Sequence, residues 1–296
     1  MDLLCAEKIS ADNCCAMKDG TVFEDERVLQ ELLNVEHLYV PKCDYFKTVQ
    51  TDVEPFMRKI VTKWMLEVCD ELHCEDQVFP LAVNLFDRFL CTCDTPKKFL
   101  QLVAADCILM ASKIRQAVIV SIDTLCYFTN YSVTPCQMRK YELLLVSKLD
   151  WDLAAVTAFD FVDHILQRIK WSRKDDMIRR HSLILLHLCY TECDFMRMKP
   201  STIATACIIS ALKGLKAQLD YDTFKHICML TSSPIECVEH AVTTLEWIVA
   251  KESAIIPAAS AAKMAPCSNG ASEKMLPVNT DEEKPETPTD VQDVKF

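Results

Sequence analysis

Leu102-Val103-Ala104-Ala105-Asp106-Cys107-Ile108-Leu109-Met110-Ala111 is apolar on nearly every side. A helix of that character has no face to give to water, so it must be wrapped by other helices. Sliding the chain by one hundred residues aligns Ala104 with Ala204, Cys107 with Cys207, Ile108 with Ile208, Ala111 with Ala211 and Lys113 with Lys213. Pro135 and Pro234 match at a shift of ninety-nine. Two tandem domains, each built around a buried third helix, are the simplest reading.

The neighbouring segments fill out each set. Met57, Ile60, Val61, Trp64 and Val68 share one helical face behind Pro55, and Leu81, Leu85, Phe86, Phe89 and Leu90 mark a second helix. The third opens at Pro96 and runs to about Ile114; shorter ones lie near 121–129 and 135–149, the last capped by Thr134 with Pro135 in its first turn. The second set falls near 158–170, 174–190, 200–215, 220–230 and 234–249. The predicted fold class is therefore all-α, with two tandem five-helix domains. The divisions are a flexible segment at 1–21, domains at 22–153 and 154–255, and a tail at 256–296, whose prolines and low hydrophobicity predict disorder.

Composition limits the function. Only three glycines occur, Gly20, Gly214 and Gly270, too few for any phosphate-cradling loop or nucleophile elbow. A net charge of -11 offers no platform for nucleic-acid phosphates. The odd count of 17 cysteines and the acidic, unpatterned start at Met1-Asp2-Leu3-Leu4 favour a reducing compartment, with most cysteines acting as small apolar filler. No apolar run reaches the roughly 18 to 20 residues of a membrane span. No His-Glu-x-x-His, paired Glu-x-x-His or Cys-x-x-Cys is present, and His164, His181 and His187 read as core-edge or surface residues. Neither a catalytic set, a metal site nor a cofactor is expected, which leaves surfaces for partners.

Five stretches identify those surfaces by resemblance. Met57-Arg58-Lys59-Ile60-Val61-Thr62-Lys63-Trp64, followed by Val78-Phe79-Pro80-Leu81-Ala82-Val83-Asn84-Leu85-Phe86-Asp87-Arg88-Phe89-Leu90, resembles the cyclin box. Ala111-Ser112-Lys113, Tyr141-Glu142-Leu143-Leu144-Leu145 and Leu149-Asp150-Trp151-Asp152-Leu153-Ala154-Ala155 narrow the resemblance to D-type cyclins, over about residues 22–250. The resemblance implies a non-catalytic activating subunit of a G1-class cyclin-dependent kinase that promotes the G1/S transition. By spacing alone Lys113 and Glu142 are two solvated charges; the resemblance makes them a clamp on the kinase's regulatory helix, and adds Phe161, at the hinge between domains, to the kinase-binding residues. Met57, Ile60 and Trp64 likewise read first as core, whereas the resemblance implies that they and Leu100-Gln101 form a shallow groove for Arg-x-Leu peptides of substrates and kinase inhibitors.

The termini carry two further implications. Leu3, Cys5 and Glu7 project to one side of an extended strand, a pattern common by chance. Ahead of a cyclin box it matches the docking motif for retinoblastoma-family pocket proteins. Thr287-Pro288 matches the family's C-terminal phosphorylation sequence, which implies export from the nucleus to the cytoplasm and capture by a ubiquitin ligase. A cyclin-fold transcription factor or scaffold without kinase activation is the alternative, and a helical metal-dependent hydrolase a more distant one.

The chain also departs from the family. After Lys113 the family continues Lys-Glu-x-x-Pro-Leu, whereas this chain reads Ile114-Arg115-Gln116-Ala117-Val118-Ile119-Val120, losing an acid and a proline beside the kinase face. Asp106 sits inside the buried helix, where an unpaired carboxylate is expensive, so a donor or a place at the domain edge is expected for it. Gly214 is expected to supply a left-handed cap.

Overall fold

The computed structural model describes residues 19–169, 176–216 and 219–262, with side chains as far as Ser253. Among these residues the regular structure is helical throughout. Helices α1 (Gly20–Glu24) and α2 (Glu26–Val35) come first, then α3 (Tyr45–Thr48), α4 (Pro55–Glu71), α5 (Val78–Leu90), α6 (Leu100–Arg115), α7 (Ile122–Phe128) and α8 (Pro135–Lys148). The second set is α9 (Ala158–Arg168), α10 (Asp176–Thr191), α11 (Pro200–Gly214), α12 (Tyr221–Leu230) and α13 (Ile235–Ala262). No described helix is long and apolar enough to cross a membrane.

The predicted central helices are the centres of the two domains. From Leu102 to Ser112 every residue of α6 is buried, as is every residue of α11 from Pro200 to Leu212. Helix α6 lies among α4, α5 and α8, and α11 among α9, α10 and α13. Each centre nucleates its own apolar core, one holding Phe79, Phe86 and Ile108, the other Phe161, Phe195 and Ile208. Burying such a side chain stabilises by about 1.5 to 3 kcal/mol, so these two cores dominate the favourable side of folding.

Local chemistry sets the ends. Thr134 and Gln137 form a reciprocal capping box on α8, with Pro135 in the first turn. A 3₁₀ turn over Lys97–Phe99 follows Pro96, so α6 begins at Leu100, four residues after the proline expected to open it. Helix α13 runs past residue 256 to Ala262, so the last predicted division begins inside a helix; residues 263–296 lie outside the described part. Gly214 is the final residue of α11, and the left-handed conformation falls instead on Lys216, at φ 53°. None of the described cysteines is bridged, and six are buried, Cys107 and Cys207 in the two central helices.

The N-terminal helices belong to the other half of the molecule. Leu29 of α2 joins the second core. Arg168 at the end of α9 donates to the carbonyls of Phe23 and Asp25 at 2.7 and 3.1 Å, and the Phe23 ring lies 4.9 Å from that of His164. Buried Glu36 accepts from the Ser201 amide and hydroxyl at 2.8 and 2.9 Å, placing a carboxylate at the positive end of α11. Burial, only partly offset by those two bonds, holds the Glu36 carboxyl above its ordinary range. A first domain starting at residue 22 therefore includes a strap that packs on the second.

Candidate functional site

Lys113 stands in the last turn of α6 and Glu142 in the middle of α8, and Lys113 Nζ donates to Glu142 Oε1 at 2.7 Å. Both side chains keep about a third of their surface, 33% and 27%. Exposed apolar side chains lie near the pair in the chain. Leu143 and Leu144 follow Glu142 on α8, Ile114 follows Lys113, and Val118 and Ile119 project from the next loop at 70% and 53% exposure. Trp151, held at φ 61° just beyond α8, is 76% exposed. A charge pair whose two helices and the segments that follow them expose six apolar side chains has the composition of a partner interface rather than of a solvated face.

The divergent loop is built into this face by its own bonds. Ser112 Oγ accepts from the Val120 amide at 3.2 Å, which tucks Val120 inward and turns Val118 and Ile119 out. Gln116 accepts from the Glu75 amide at 3.2 Å and donates to the Val118 carbonyl at 2.6 Å. Arg115 makes a two-pronged contact to Asp160 at 2.9 and 3.2 Å and donates to the Ala155 carbonyl at 2.8 Å. Asp160 is also the N3 residue of the capping box of α9, so Arg115 fastens the end of the first central helix to the start of the second domain. The acid and proline lost from this loop are replaced by glutamine and arginine bonds.

Beneath the face lies Asp106. It is fully buried on α6, two turns below Lys113, and neither carboxylate oxygen has a hydrogen-bond partner. The expectation of a donor or an edge position fails, while the helix placement behind it holds. Burial, reinforced by the charge of Glu142 and only partly offset by Lys113, pushes the Asp106 carboxyl up to about 8. It is therefore a neutral acid under a charged clamp at pH 7.

Phe161, on α9, is fully buried in the core of the second domain. It packs a helix in place and presents no surface to a partner, which corrects its assignment as a contact. Most residues expected to line the peptide groove are buried. Met57, Trp64 and Leu100 all belong to the first core, with Trp64 only 4% exposed, so Trp64 is not a free aromatic anchor. Ile60 and Gln101 are half-buried, and Gln101 accepts from Ser132 at 3.2 Å. The exposed ring on that helix is Phe56, at 50%. Leu3, Cys5, Glu7 and Thr287 lie outside the described residues.

One constellation was missed in the sequence. Arg58, 1% exposed, donates from Nε and Nη2 to both oxygens of Asp87 at 2.8 and 2.7 Å, and to the carbonyls of Thr191 and Tyr190 at the end of α10. Tyr45 donates to the same carboxylate at 2.8 Å. This buried pair locks α4, α5 and the end of α10 together across the domain seam. Removing one partner of such a pair costs about 3 to 5 kcal/mol, because the other is left charged and unpaired. The signal available was Asp87 itself, a carboxylate within the apolar run Leu85-Phe86-x-x-Phe89-Leu90 that demanded a cation.

Known proteins share this architecture. The cyclin N-terminal domain matches residues 27–154 and the cyclin C-terminal domain residues 156–263, so the chain belongs to the cyclin family. Within that family its likeness is to the D type. G1/S-specific cyclin-D2 of Xenopus laevis is 39% identical over 256 residues, covering 84% of this chain and 87% of the relative. G1/S-specific cyclin-D3 of Homo sapiens is 38% identical over 294 residues, covering 98% of each. The crystal structure of a viral cyclin from herpesvirus saimiri shares the fold, with a TM-score of 0.64 at 24% identity over 74% of this chain and 95% of that one.

Proposed function

We infer that this chain is the activating, non-catalytic subunit of a G1-class cyclin-dependent kinase. The observation that carries the reading is the Lys113–Glu142 pair, with exposed apolar side chains near it in the chain, on a D-type cyclin scaffold. A preformed pair has little orientation left to lose on docking, and supplies register to a partner helix while the apolar side chains supply affinity. By holding the kinase's regulatory helix inward, the bound chain shifts the kinase toward the arrangement in which its own lysine–glutamate pair and activation segment are in place. The kinase brings the ATP site, which accounts for a chain with no phosphate-binding loop.

The remaining roles follow from family membership and sequence position. Leu3, Cys5 and Glu7 recruit retinoblastoma-family pocket proteins as substrates. The α4–α6 edge at Ile60 and Gln101, with Phe56 added, receives substrate and inhibitor peptides. Phosphorylation of Thr287 sends the chain from nucleus to cytoplasm and to a ubiquitin ligase. The direct test is Lys113→Ala with Glu142→Ala. Co-purification with a G1-class kinase should fall at least about tenfold, the scale of losing a close charge pair at an interface, with helicity by circular dichroism unchanged. Undiminished kinase binding by the folded variant would contradict the assignment.

A further inference from the structure

The second domain carries a counterpart of the partner-docking face of the first. Lys213 occupies in α11 the place of Lys113 in α6, and pairs with Glu246 on α13 at 3.0 Å, one helical turn beyond the register of Glu142. Ser121 caps α7 by accepting from the Thr124 amide, and Asp220 caps α12 by accepting from the Thr223 amide. The same three pieces, the end of a central helix, the start of the next helix and one face of the last, thus meet twice in the molecule.

In the second domain they enclose a groove of about 410 Å³ lined by Lys213, Leu219, Tyr221, Phe224, Glu239 and Val242. Tyr221 is 67% exposed and stacks on Phe224 with ring centroids 6.5 Å apart. Trp247, one turn along α13 from the groove residue Thr243, is 60% exposed. No described element covers these rings. Of the charged residues that line the groove, Asp220 and Glu239 form no ion pair with a described residue, while Lys213 is already paired with Glu246; Trp247, outside the lining, carries Lys251 Nζ over its ring at 5.1 Å.

We propose that this α12–α13 groove docks a partner protein's amphipathic helix, its apolar stripe on Tyr221 and Phe224 and its lysines or arginines against Asp220 and Glu239. Apolar anchors beside unpaired carboxylates fit a cationic helix, and an anionic one would meet like charge. The proposal rests on reading the Lys113 face as a docking surface, and names a second site on the same molecule for a different partner.

The probe is a fluorescent helical peptide with leucine on one face and lysine on the other, titrated into the full chain. Its controls are a scrambled sequence of equal charge and a version with glutamate for lysine. The amphipathic basic peptide should bind at least about tenfold more tightly than either control, and weaken steeply as salt shortens the reach of the carboxylates. Tyr221→Ala and Glu239→Lys, both at exposed positions, should each weaken it about tenfold while kinase co-purification is unchanged. Lys113→Ala with Glu142→Ala should leave peptide binding intact, so failure of the kinase reading and failure of this one are separable. Equal binding of the scramble, indifference to both groove variants, or loss of the peptide on changing Lys113 and Glu142 would each overturn the proposal. So would a concentration-dependent dimer abolished by Tyr221→Ala, which would give the groove to a second copy of the chain.

Discussion

Helices α6 and α11 occupy the same place in two copies of one architecture, yet they treat buried polarity in opposite ways. In α11 the polar residues are small and uncharged, and most are matched: Thr202 meets Ser233 at 3.2 Å and Thr205 meets Thr231 at 3.0 Å, while only the Ser210 hydroxyl of this helix lacks a partner. In α6 the position that aligns with buried Ala206 holds Asp106, an acid with no partner at all. A hydroxyl finds an acceptor one helix away, or turns back on its own carbonyl; a carboxylate needs a donor, and an apolar wall supplies none. The central helix of the first domain is thus less stable than its architecture allows, directly below the face assigned to the kinase.

Exchanging the two residues breaks that comparison most forcefully. Ala206→Asp places an acid in the better-matched centre, and at pH 7 keeping it protonated should cost about 4 kcal/mol by the difference between an ordinary carboxyl and one raised as far as Asp106. Denaturant unfolding should show a midpoint shift of that size, and a neutral result would mean that α11 tolerates charge and the two centres are not alike.

The reverse change sharpens the account through pH. Because the folded state holds Asp106 protonated to about pH 8 while the unfolded chain releases that proton near pH 4, the wild type loses stability as pH rises between those values. The slope from this one group approaches about 1.4 kcal/mol per pH unit and flattens above 8. Asp106→Val should be more stable than wild type at pH 7.5, and the difference between them should shrink toward pH 5. Parallel stability curves for the two proteins would show that Asp106 is ionised or solvated.

The smallest expected effect separates docking from folding. Lys213 and Glu246 are each about half exposed, at 47% and 50%, so replacing both with alanine should change stability by less than about 1 kcal/mol. A larger loss would make the pair a structural strut rather than one edge of a groove.

Much of this was legible in the sequence because it is local. Helical spacing placed α4 through α13, Thr134-Pro135 announced a cap, and a shift of one hundred residues exposed the repeat. What escaped depends on partners distant in the chain. Arg58 follows Met57 and looks like an ordinary surface charge until Asp87 and the carbonyls of α10 are brought to it. Helices α1 and α2 are short, and nothing local says that Leu29 completes the far core. Lys113 and Glu142 were chosen by resemblance; their 2.7 Å contact is a property of folding, since 29 residues separate them. Trp64 shows the reverse failure, where membership of a motif drew to the surface a residue that helical spacing alone assigns to the core.

Hydrogen exchange of the full chain, alone and bound to a G1-class cyclin-dependent kinase, reads the central claim directly. Slowed exchange on binding should concentrate in the last turn of α6, the loop at 116–120 and residues 141–151, leaving α12 and the groove-facing part of α13 unchanged. Protection confined to the second domain, with none around Lys113 and Glu142, would contradict the account.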